Sequence, residues 1–108
     1  MPPKRSAVPG SDRFSIVYAE AALDDLDRIF EFLATADRAA AERAAGSIVS
    51  GVVMVAEHPL IGRPVSDGLR VLVVSFGNGG YVVLYRVRPR LTRVEVLSVR
   101  HQREAGFG

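Results

Sequence analysis

The side chains able to do chemistry in this sequence are two histidines, twelve carboxylates and fourteen basic residues, thirteen of them arginine. There is no cysteine, which excludes disulfide scaffolds, thiolate-ligated zinc and thiol nucleophiles. Proton transfer would have to draw on Glu57 with His58, or on His101 with Glu104. His58 precedes a proline at the predicted end of a helix and reads as a solvated loop residue. His101, in Arg100-His101-Gln102-Arg103-Glu104, reads either as an acid–base group or as a structural residue packing the C-terminus. Arginine grips carboxylate and phosphate with a planar fork, so Arg63, Arg70, Arg100 and Arg103 are candidate anion-binding groups. Glu20, Asp24, Asp25 and Asp27 have the spacing of a solvated helix face with no histidine nearby, so no metal or cofactor is expected.

Charge is unevenly placed. Up to Glu57 there are six basic and nine acidic residues; from His58 onward there are eight arginines against three acids. The first half is near −3 and the second near +5, which fits either a solvated face or a surface for an anionic partner.

These residues must be carried by one domain, since 108 residues with 48% hydrophobic and 24% charged side chains suit a single core. Residues 1–12 hold three prolines, a glycine and two serines, and read as a flexible tail; residues 13–108 form the domain. No apolar run approaches the ~20 residues of a membrane span, and the start has no apolar stretch after its basic residues, so a cytoplasmic protein is expected. Residues 14–18 alternate as a short strand. Leu23, Leu26, Ile29, Phe30 and Leu33 recur at helical spacing over 20–34, with Asp24, Asp25, Asp27, Arg28 and Glu31 assigned to the solvent side. A second helix is predicted from an Asp37 N-cap to about Glu57, burying Ala41, Ala44, Ala45, Ile48, Val52 and Val55, and the two form an antiparallel hairpin. Pro59 ends it. After a loop over 58–68, strands are predicted at 69–76, 81–88 and 93–100, the first two joined by a type I′ turn centred on Asn78-Gly79. The order is β-α-α-β-β-β, an α+β fold with an antiparallel sheet and the helix hairpin on one face.

Pairing Gly77 with Gly80 and Arg88 with Arg93 puts Val71, Val73, Val82, Leu84, Leu97 and Val99 on one sheet face. Leu72, Val74, Phe76, Tyr81, Val83, Tyr85, Val87, Val94 and Val96 take the other. Both faces are apolar and two helices cover one, so the termini or a partner must cover the second. In the same register Arg86 faces Glu95 as a cross-strand ion pair.

The segments AALDDLDRIFEFLA, EHPLIGRPV, LRVLVVSFGNGGYVVLYRV and VEVLSVRHQREAGF, spanning residues 14–107, together resemble the RelE/ParE superfamily of bacterial toxins. The combination is Gly62-Arg63-Pro64, Leu69-Arg70, Tyr85-Arg86 and the closing Arg100-His101-Gln102-Arg103-Glu104, in that order. The resemblance implies the toxin of a type II toxin–antitoxin module, a plasmid stabilisation protein neutralised by a cognate antitoxin that alone contacts operator DNA. It implies one of two targets. RelE-like members cut mRNA on the ribosome; ParE-like members bind DNA gyrase and trap it on cleaved DNA without hydrolytic chemistry of their own.

Departures from the ribonuclease pattern favour the ParE-like branch. The stretch Tyr81-Val82-Val83-Leu84-Tyr85 lacks the arginine that RelE-like members place early in this strand. Lys4 is the only lysine, and Gly106-Phe107-Gly108 replaces a C-terminal tyrosine. The expected target-binding surface is Arg63, Arg70, Arg100, His101 and Arg103. In the alternative, a ribosome-dependent mRNA endonuclease, His101 is the acid or base and the arginines clamp phosphate.

Overall fold

The computed structural model describes residues 13–77 and 79–103. The predicted tail at 1–12, the turn residue Asn78 and the ending 104–108, with Glu104, lie outside the described residues. The chain runs β1 (Ser15–Tyr18), α1 (Glu20–Ala34), α2 (Arg38–Glu57), β2 (Arg63–Ser66), β3 (Leu69–Phe76), β4 (Gly79–Arg88) and β5 (Arg93–His101).

Helix α1 lays Ala22, Leu26, Ile29 and Leu33 against the sheet and ends where the Thr35 hydroxyl donates to the carbonyls of Glu31 and Phe32, both at 2.8 Å. Helix α2 starts on Asp37, whose carboxylate accepts from the Ala40 amide at 3.2 Å as the N-cap pattern predicts. Its alanines let backbones approach: Ala41 and Ala44 are fully buried, as are Ile48 and Val52. At Gly51 an added Cβ would lie 2.8 Å from the Val74 methyl, so a larger side chain there would force the α2–β3 contact to shift. By length and composition α2 does match a membrane span, contrary to the expectation from apolar runs, but its alanine–valine stripe is buried in this core. Beneath the helices, Val83, Val96, Val99 and Tyr85 are almost fully enclosed, and burying each valine contributes about 1.5–3 kcal/mol.

The sheet order is β1-β5-β4-β3-β2. Four features differ from the sequence expectation. First, the sheet is mixed, because β1 lies parallel to β5: the chain leaves β1 into the helices and returns at the far side. Second, residues 63–66, expected within a loop, form an edge strand paired with β3. Pro64 is tolerated there because an edge strand has one side of its backbone unpaired. Third, Phe76 pairs with Gly79 and Ser75 with Gly80, so the chain reverses one residue earlier than expected. Gly77 has φ +59°, the left-handed conformation a primed turn requires. This shifts the β3–β4 register by two residues, which leaves every side chain on its expected face.

The fourth difference changes a face. Leu84 pairs with Ser98 but Tyr85 pairs with Val96, so Leu97 is an extra residue, a β-bulge in β5. Beyond it Val99 turns under the helices, fully buried opposite Val83, instead of joining the outer face. Arg86 does stand opposite Glu95, yet the Glu95 carboxylate forms its ion pairs with Arg88 (3.2 Å) and Arg93 (3.6 Å). The outer face is otherwise apolar as expected, with Val71, Val73, Val82 and Leu84 along its middle.

Candidate functional site

His101 ends β5 opposite Tyr81, and the two rings meet edge to face with centroids 5.5 Å apart. The Arg103 amide donates to His101 Nδ1 at 3.1 Å, which fixes the orientation of the ring. Its Nε2 lies against Gly79, where an added Cβ would stand 3.4 Å away. Phe76 packs beyond Tyr81 at 6.4 Å between centroids. Burial pushes the Tyr81 hydroxyl above its ordinary pKa, keeping it a neutral phenol.

Between these residues and the second half of α1 runs a groove of about 770 Å³, lined by Ile29, Phe32, Leu33, Phe76, Tyr81 and His101, with Arg28 and Arg103 on its rim. Phe32 stands 78% exposed at its lip. The groove exists because β1 stops at Tyr18 and α1 continues past it. The edge of β5 left bare by that ending is sealed by Asp25, whose carboxylate accepts from the Val99 amide at 2.9 Å and pairs with Arg28 at 3.1 Å. Asp25 is thus not on the solvated face to which its charge assigned it. It lies three residues after buried Ala22 and four before Ile29, and that spacing is the signal for its inward position.

The other predicted residues are distributed elsewhere. Arg70 pairs with Tyr85 on the helix-covered face, where its guanidinium donates to the carbonyls of Leu60 (3.1 Å) and Gly62 (2.7 Å). The Tyr85 hydroxyl donates to the Pro59 carbonyl at 2.7 Å and accepts from the Gly62 amide at 2.8 Å. Together they hold the 59–62 turn, and Gly62 is required there: a Cβ would come within 2.6 Å of the Tyr85 oxygen and 2.7 Å of the Val71 carbonyl. Burial raises the Tyr85 pKa, opposed by the Gly62 hydrogen bond and the Arg70 charge. From sequence Tyr85 entered only as part of the family resemblance and as one residue of an apolar sheet face; its hold on this turn was not anticipated, because a tyrosine in an apolar strand looks like core.

Arg63 opens β2 opposite Val71, and Arg100 on β5 faces Val82, so both project from the outer face of the sheet. The five predicted residues therefore occupy three places: His101 and Arg103 at the groove, Arg63 and Arg100 on the outer face, Arg70 under the loop. Glu57 pairs with Arg13 at 2.7 Å, and His58 caps α2 through its amide to the Met54 carbonyl. These two stand at the Tyr85 end of β4, four residues or roughly 13 Å from the Tyr81 end that holds His101. Among the described residues no three of His, Asp and Glu converge as metal ligands.

The mixed five-stranded sheet with a helix hairpin on one face is the fold of the RelE/ParE superfamily of toxins, the class to which the comparisons assign this chain. The family described as the ParE toxin of the type II toxin–antitoxin system parDE matches residues 16–106, and the chain belongs to it. Toxin RelE3 of Caulobacter vibrioides is 39% identical over 80 residues, covering 74% of this chain and 85% of that protein. Among solved structures, the chromosomal ParDE system of P. aeruginosa superposes with a TM-score of 0.69 at 21% identity, over 84% of this chain and 98% of that one. The Mycobacterium tuberculosis RelBE2 toxin–antitoxin complex gives 0.60 at 21% identity, over 83% and 99%. Isolated E. coli RelE gives 0.60 at 18% identity, over 86% and 88%, so the fold is common to both branches.

Proposed function

We propose that this type II toxin acts in the cytoplasm by binding DNA gyrase, in the ParE manner, and is neutralised by a cognate antitoxin. The observation that carries this reading is the division of the site. Cleaving RNA by transphosphorylation needs an acid–base pair and cations converging on one phosphate. Here His101 sits on the helix side of the sheet and Arg63 and Arg100 project from the other, while the Arg70 guanidinium holds backbone carbonyls. A surface divided in this way suits protein recognition better than catalysis. The groove beside α1, with exposed Phe32 and a cationic rim, supplies a seat for an apolar antitoxin segment.

The test is supercoiling of relaxed plasmid by purified gyrase and ATP, scored also for linear DNA. Inhibition with trapped cleavage complexes is expected. Full supercoiling in the presence of protein shown to be folded and antitoxin-competent refutes the reading. Arg63→Ala is expected to relieve growth arrest while antitoxin binding survives. The second reading, ribosome-dependent mRNA cleavage, is favoured by one arrangement: His101, Arg103 and Arg28 border the same groove. His101→Ala abolishing mRNA cleavage on ribosomes would establish it.

A further inference from the structure

The outer sheet face has a composition that the groove does not share. By the strand registers it carries Arg63, Arg86, Arg88, Arg93 and Arg100, and Glu95 is the one carboxylate at an outward strand position among the described residues. Val71, Val73, Val82 and Leu84 lie inside this ring; Val73 is 51% exposed, while Val71 and Val82 are already buried by their neighbours. Arg63 on β2 and Arg100 on β5 flank the aliphatic centre three strand spacings apart, roughly 14 Å. An α-helix with its side chains is about 10–12 Å across and fits between them.

Sheets that read single-stranded nucleic acid stack bases on aromatic rings. On this sheet Tyr18, Phe76, Tyr81 and Tyr85 all take the helix-covered side, and the outward strand positions described are aliphatic, polar or charged. An apolar centre with an arginine rim is instead the anatomy of a protein interface. We propose that this face docks an amphipathic helix of a partner protein, apolar toward Val73 and Leu84 and acidic along both flanks. The inference rests on the reading that the toxin acts by binding a protein, and adds the chemistry of the segment bound.

The probe is a labelled synthetic helix of about 18 residues with leucine on one face and glutamate on both flanks, titrated by fluorescence anisotropy against the full chain. Micromolar binding is expected, at least tenfold weaker for the counterpart with lysine in place of glutamate and weaker as salt rises. Val73→Asp, at a half-exposed position, and the double change Arg63→Gln with Arg100→Gln should each weaken it tenfold, with circular dichroism showing the fold retained. Displacement of the probe by an equal concentration of uridine oligonucleotide overturns the proposal in favour of nucleic acid. A concentration-dependent dimer that Val73→Asp disperses overturns it in favour of a second copy, whose α1 offers Glu20, Asp24, Asp27 and Glu31 beside exposed Leu23 and Phe32. Equal binding of both peptides, or none at millimolar protein, also overturns it. Gyrase supercoiling on the same wild-type sample reads the target separately: probe binding without inhibition refutes gyrase and leaves the face assigned.

Discussion

Replacing Tyr85 with phenylalanine removes one oxygen and no packing volume, which isolates the energetics of the 59–62 turn. That oxygen makes two hydrogen bonds, 2.7 Å to the Pro59 carbonyl and 2.8 Å from the Gly62 amide. The Gly62 amide is buried, and a buried donor left unpaired costs about 1–3 kcal/mol. The Pro59 carbonyl is half-buried and recovers water. About 2 kcal/mol of destabilisation is therefore expected for Tyr85→Phe, or a fall in Tm of about 8 °C for a domain of this size. Urea unfolding followed by circular dichroism measures it. Arg70 holds the same turn through the Gly62 and Leu60 carbonyls, so Arg70→Ala and Tyr85→Phe should couple by at least ~0.5 kcal/mol in a double-mutant cycle. A Tyr85→Phe protein within ~0.5 kcal/mol of wild type, additive with Arg70→Ala, would refute the argument that these two residues together hold the 59–62 turn.

Gly62→Ala should destabilise by about 1–3 kcal/mol and be only partly rescued in the Tyr85→Phe background, since the clash with the Val71 carbonyl remains; thermal melts of both proteins decide this. Asp25→Ala should cost about 1–3 kcal/mol and speed hydrogen exchange at the Val99 amide specifically, whereas an exchange rate unchanged at that amide refutes the edge-sealing role. Tyr18, Tyr81 and Tyr85 all have pKa values raised above 10.0 by burial, so the folded chain holds phenolic protons that the unfolded chain releases first. Stability should be level below pH 10 from this source and fall as pH climbs past 10.0 toward the raised folded values, read as a declining urea midpoint together with phenolate absorbance.

Both helices were legible because their cores repeat at 3.6 residues and because Asp37 and Pro59 mark the ends of α2. β2 was not, since four residues containing a proline show no alternation; only the neighbouring strand makes them a strand. The bulge was legible in principle. In Arg93-Val94-Glu95-Val96-Leu97-Ser98-Val99, apolar residues alternate up to Val96 and resume at Val99 in the opposite phase, with Leu97 at the break. The candidate site was partly legible. Arginine counts pointed to the second half of the chain, but the split of its cations between two faces depends on strand registers. The roles of Asp25 and Tyr85 were not legible because their partners are backbone groups 74 and 23 or 26 residues away.

The extra residue at Leu97 makes the last strand a switchable display. With the bulge smoothed out and the length unchanged, Leu97 would pair with Leu84 and bring Arg100 opposite Tyr81, over the groove, in place of His101. Deleting Leu97 outright would leave Leu84 with Ser98 and Tyr81 with His101, so a relative one residue shorter at this point would show partners the same side chains. What the end of the strand presents is therefore set by whether the bulge is kept, and the same residues can address either face without one of them being replaced.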